Sequence, residues 1–79
     1  MSPESIIIYI EKELLLGLAP EPVTTETEII TTGLLDSIAV MRLVAHLEKQ
    51  LGRKIPEEHM ILENFATVNA LTAYLDTLS

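Results

Sequence analysis

The chain has 79 residues, no cysteine, only three aromatic residues and a formal net charge of −7. That length supports one domain, residues 1–79, with an aliphatic core and little room for an internal pocket. The 48% apolar content argues against disorder, the lack of cysteine excludes disulfides and thiolate metal sites, and the acidity disfavours nucleic acid, whose phosphates call for a basic surface.

Ser2-Pro3 reads as a helix opening, with Ser as the cap and Pro at the first helical position. Glu4 then lies where the helix dipole favours an anion. Ile7, Ile10 and Leu14 fall at helical spacing, and Gly17 is placed to end the helix. The run "SIIIYI" meets Glu11-Lys12-Glu13 too soon to span a membrane. No basic stretch precedes it, so a signal peptide is not expected. A cytoplasmic protein is the expectation.

Residues 18–36, "LAPEPVTTETEIITTGLLD", hold two prolines and five threonines, which disfavours a long helix. Ile29-Ile30 and Leu34-Leu35 would pin this connection to the core. A connection this long inside a small domain tends to carry function.

The segment after Asp36 carries the clearest helical pattern. At 100° per residue, Val40, Leu43, Val44, Leu47 and Leu51 share one face. Ile38, Arg42, Ala45 and Lys49 form a second face, with His46 at its edge. Gly52 ends the helix, and "GRKIP" turns the chain with Ile55 buried. "PEEHMIL" is expected to form one or two turns of a short helix, opened by Pro56, Glu57 and Glu58. Thr67 caps a last helix whose apolar stripe is Val68, Leu71, Leu75 and Leu78. The predicted fold is all-α: a small four-helix bundle of three longer helices and one short third helix. A long loop joins helices 1 and 2.

Charge is distributed unevenly. Residues 36–54 carry a net +2 and the rest of the chain −9. The segment after Ser37 is the one part that is not acidic.

Little chemistry is available to the bare chain. His46 and His59 fall on different elements, and no spacing argues for a metal site. No glycine-rich phosphate loop is present. Glu57-Glu58 reads as a charge pair at a helix start. Met41 and Met60 read as core filling. Ser37 stands apart, because a helix N-terminus offers unpaired N–H groups and a positive dipole that welcome a phosphate. With only Asp36 beside it, Ser37 is a poor nucleophile alone but a good acceptor for an enzyme acting in trans. The plainer reading is that Asp36 and Ser37 are helix-cap residues and nothing more.

The string "GLLDSIAVMRLVAHLEKQLGRKIP", followed by "ENFATVNALTAYL", resembles the acyl and peptidyl carrier proteins. That family is marked by an Asp-Ser pair opening the second helix. An apolar-periodic helix, a Gly turn, an "I-P" step, a short third helix and a capped last helix come after it. Here these are Asp36-Ser37, Gly52, Ile55-Pro56, and Phe65 with the Thr67-Val68 cap. The resemblance runs from Ile6 to Leu78. It implies that Ser37 carries 4′-phosphopantetheine, installed by a phosphopantetheinyl transferase that recognises Asp36. It implies that the arm's thiol holds an acyl or aminoacyl thioester, so that the chain is a substrate of other enzymes and no enzyme itself.

Two departures shape the expected pathway. The approach "GLLDS" differs from the shorter form common in fatty acid carriers. Fatty acid carriers also typically present acids on the second helix, where this chain has Arg42 and Lys49. A basic docking enzyme would be repelled there. The resemblance is therefore closest to stand-alone carriers of polyketide or nonribosomal-peptide biosynthesis. D-alanyl and fatty acid carriers are the alternatives, and a non-covalent helical adaptor using the Arg42/Lys49 face is a reading of another class. Leu35, Ile38, Met41, Arg42, Ala45 and Lys49, with Glu57 and Glu58, are the candidate partner contacts. The expected partners are the transferase, an adenylating acyl or aminoacyl ligase or an acyltransferase, and a downstream synthase. The chain itself is expected to be a monomer.

Overall fold

A computed structural model describes residues 2–78. The first helix, α1 (Pro3–Tyr9), opens as its sequence dictates, with Ser2 Oγ accepting the Ser5 N–H at 3.2 Å. It then loosens into a π-helical stretch, Ile10–Leu14, closed by the Leu15 N–H to the Ile10 carbonyl at 2.9 Å. An i to i+5 bond adds a residue to the turn, and this rotates the later side chains around the helix axis. Leu14 and Leu15 are consequently both half-buried. Upstream, Ile6 and Ile10 are fully buried and Ile7 only half-buried, which corrects the expected Ile7-Ile10-Leu14 stripe. With isoleucine at 6, 7 and 8, local spacing allowed several stripes. Leu16 and Gly17, both with positive φ, stop the helix, and the Gly17 N–H bonds back to the Glu11 carbonyl.

The long connection to the second helix has no regular structure, yet it is stitched down. Glu11 accepts the Val23 N–H at 2.8 Å. The Ile29 N–H bonds to the Ala66 carbonyl, and the Asn69 N–H to the Thr25 carbonyl. Val23, Ile29 and Leu35 are buried, while Ile30 and Leu34 pack partly against the core.

The second helix, α2 (Ser37–Leu51), ends at Gly52, whose φ of +70° is the left-handed cap conformation that glycine adopts without strain. Leu43 and Leu47 are fully buried, flanked by half-buried Val40, Val44 and Leu51, as their spacing required. Tyr9 lies flat on His46, with ring centroids 3.7 Å apart, and so ties α1 to α2.

"PEEHMIL" forms one turn, the lower end of the expectation. A 3-10 turn spans Glu57–His59, and the short third helix, α3 (Leu62–Phe65), begins only at its end. The last helix, α4 (Val68–Asp76), is capped by Thr67, whose Oγ1 accepts the Ala70 N–H at 3.0 Å. Val68, Leu71 and Leu75 are buried as expected, and Tyr74 joins them. Its hydroxyl lies 2.8 Å from His59 Nδ1, while the Asn64 amide holds the His59 carbonyl at 2.7 Å. Burial pushes the Tyr74 hydroxyl above the usual phenol range, and the nearby Arg53 charge works the other way.

Candidate functional site

The first turn of α2 separates two roles that the sequence left joined. Asp36 is the cap: its backbone is extended, and its Oδ1 accepts the Ala39 N–H at 2.8 Å. The Val40 N–H then makes the first backbone bond of the helix, to the Asp36 carbonyl at 2.9 Å. Ser37 is the first helical residue, and its exposed hydroxyl makes no hydrogen bond within the described residues. The reading of Ser37 as a cap is thereby corrected, because a neighbour already fills that position.

This geometry fits a phosphodiester on Ser37. The Ser37 and Ile38 N–H groups precede the first backbone bond of the helix, where the dipole is positive. No acidic side chain lies in the first turn of α2. An open groove of about 300 Å³ reaches the same end of the helix, lined in part by Leu14, Leu18, Leu34, Asp36 and Ala39.

The candidate partner residues divide. Ile38 and Met41 are 68% and 71% exposed, and Arg42, Ala45 and Lys49 are exposed with them. At 100° per residue these five fall within an arc of about 100°, so they form one stripe along the solvent side of α2. Glu57 and Glu58 are exposed on the separate 3-10 turn. Leu35 does not belong to the surface. It is 4% exposed and packs into the core, with its N–H on the Ile29 carbonyl.

Met41 and Met60 are not core filling, since Met60 is 41% exposed and Met41 more so. Ile61 and Leu62 continue the exposed apolar segment after Met60, a feature that sequence reasoning missed. The helical angle of Met41, roughly 100° from the centre of the buried face, was the available signal. For residues 60–62, which precede or open a four-residue helix, no periodicity was there to read.

The histidines serve packing, His46 against Tyr9 and His59 against Tyr74. Among the described residues no cluster of three or more His, Cys, Asp or Glu can hold a metal ion. No helix among them is long and apolar enough to cross a membrane.

Residues 13–75 match the family model described as "Phosphopantetheine attachment site", and the chain belongs to that family. It is a carrier protein, of the class that bears 4′-phosphopantetheine covalently. A chain in the crystal structure of an FAD-dependent dehydrogenase is similar, at 35% identity and TM-score 0.80. That match covers 90% of this chain and 99% of the other. A chain in the crystal structure of Bradyrhizobium japonicum glycine:[carrier protein] ligase complexed with glycylated carrier protein is 24% identical, with TM-score 0.72. It covers 90% of this chain and 95% of that one. The holo acyl carrier protein of Nitrosomonas europaea, solved by NMR, is 19% identical with TM-score 0.76, covering 96% of this chain and 93% of that one. The last two likenesses speak to the fold. No curated protein gives a significant match.

Proposed function

We propose that Ser37 is the attachment residue and that this chain is a stand-alone carrier of an acyl or aminoacyl group. The observation that carries the reading is the division of labour at the helix start. Asp36 holds the cap, which leaves the Ser37 hydroxyl exposed and without a partner among the described residues. When bound, the arm supplies the terminal thiol that a cysteine-free chain lacks, and that thiol holds the cargo as a thioester. The chain's own residues keep Ser37 in reach, hold it at the positive end of α2, and offer a surface beside it. Ser37 has no base of its own, so its deprotonation belongs to a phosphopantetheinyl transferase, for which Asp36 is a recognition contact.

The partner surface in this reading is Ile38, Met41, Arg42, Ala45 and Lys49, with Glu57 and Glu58 as a second contact. The pathway is natural-product biosynthesis of the polyketide or nonribosomal-peptide type, with an adenylating ligase or acyltransferase loading the arm. The 35% identical chain supports a dedicated enzyme downstream, because it belongs to a structure of an FAD-dependent dehydrogenase and is matched over 99% of its length. A chain of carrier size in such a structure fits a carrier delivering its cargo to a flavin enzyme. A cytoplasmic location belongs to the same reading, since adenylation consumes ATP.

The test is the intact mass of the protein after co-expression with a broad-range phosphopantetheinyl transferase, beside a Ser37→Ala control. One added phosphopantetheine on the parent alone is expected. No addition to a folded parent, with the transferase active on a control carrier, would overturn the assignment of Ser37 and favour a non-covalent adaptor.

A further inference from the structure

The α2 stripe changes character along its length. Beside Ser37 it is apolar, with Ile38 and Met41 exposed. Further on it is cationic, with Arg42 and Lys49 at i and i+7 and only the short Ala45 between them. Neither cationic side chain has an ion-pair or hydrogen-bond partner within the described residues. The single acid of α2, Glu48, is occupied: Oε1 lies 3.8 Å from Lys54 Nζ and Oε2 accepts the Ile55 N–H at 2.8 Å. Arg53 and Lys54 come next in the chain, and with Lys49 they line a shallow depression at the end of the helix.

We propose that the cationic half of this stripe docks a carboxylate-rich surface on the enzyme that loads the arm. The proposal rests on reading Ser37 as the attachment residue. Its basis is charge complementarity on an otherwise acidic protein. The chain outside residues 36–54 carries −9, while residues 36–54 carry +2. An acidic partner is repelled from most of this surface and attracted to α2, so the field itself selects the approach. A basic partner meets the opposite: attraction elsewhere and repulsion beside the reacting group.

At 1.5 Å per residue, Arg42 lies about 8 Å and Lys49 about 18 Å along the axis from Ser37. Carboxylates at that spacing fix both the position and the direction of α2, with Ile38 and Met41 filling an apolar hollow nearest the arm. The Debye length is about 8 Å at physiological salt, so the attraction acts at close range and weakens with added salt.

The experiment uses holo protein made with the broad-range transferase. It is placed in a soluble extract of its own cells with ATP and mixed amino and carboxylic acids. Thioester gain is monitored by intact mass at 50 and 500 mM KCl. The parent is expected to load at least tenfold more slowly at high salt. Arg42→Glu/Lys49→Glu is expected to load at least tenfold more slowly than the parent at low salt, and Arg42→Gln/Lys49→Gln in between. Glu21→Lys/Glu26→Lys, a charge change of equal size on the exposed long connection and outside the partner surface, is expected to keep most of the low-salt rate. Matching circular dichroism and thermal midpoints show that the variants are folded. A double Glu variant that loads at the parental rate or faster, a salt-independent parent, or a holo parent that gains nothing would overturn the proposal. So would parental self-association that the double variant loses, because the stripe would then serve a second copy. A parent that never acquires phosphopantetheine fails earlier, and removes the carrier reading on which this one stands.

Discussion

Asp36→Ala and Ser37→Ala are adjacent changes with opposite expected outcomes. Asp36 Oδ1 accepts the Ala39 N–H at 2.8 Å, and losing such a cap costs about 1 kcal/mol, within a range of roughly 0.5–2. In a domain of this size 1 kcal/mol lowers the thermal midpoint by about 4–8 °C. The Ser37 hydroxyl makes no hydrogen bond within the described residues, and Ser37 is exposed at the first helical position. Alanine is the slightly better helix former, by less than about 0.7 kcal/mol, so Ser37→Ala should leave the midpoint unchanged or a little higher. The assay is thermal unfolding by circular dichroism alongside intact mass after transferase treatment. Asp36→Ala should lose stability while keeping the hydroxyl, and Ser37→Ala should lose the modification while keeping stability. If Ser37→Ala melts several degrees below the parent, the serine is structural and the division of labour at the helix start is wrong.

Two other expectations concern what holds the site's scaffold. Glu48 accepts the partly buried Ile55 N–H, so Glu48→Ala should cost about 1–3 kcal/mol by leaving that group unpaired, while Glu48→Gln keeps an acceptor and most of the stability; urea denaturation distinguishes them. Burial raises the Tyr74 pKa above its unfolded value of 10.0. Its contribution is therefore complete below about pH 10 and is lost as pH rises through the folded pKa. Urea midpoints measured from pH 8 to 11 should begin to fall as the pH approaches 10, and Tyr74→Phe should remove part of the fall.

Much was legible in the residues themselves because it depends on local physics. Pro3, Gly52 and Thr67 mark helix ends by backbone geometry and capping, and the α2 stripe from Val40 to Leu51 is a matter of 3.6-residue spacing. The Asp36-Ser37 pair with its ordered downstream landmarks pointed to the family before any coordinates. Tertiary structure decided what local pattern leaves degenerate. Among Ile6, Ile7 and Ile8 every choice of stripe was open, and burial against the other elements selected Ile6 and Ile10. Leu35 is as apolar as Ile38, yet one is 4% exposed and the other 68%, because the path of the long connection turns Leu35 inward just before the helix begins. The pairing of His59 with Tyr74 joins residues fifteen apart on different elements, and no periodicity encodes such a contact. Asp36 and Ser37 are both good cap residues by type. Only the register of the helix assigns the cap to one, and so leaves the other's hydroxyl without a partner among the described residues.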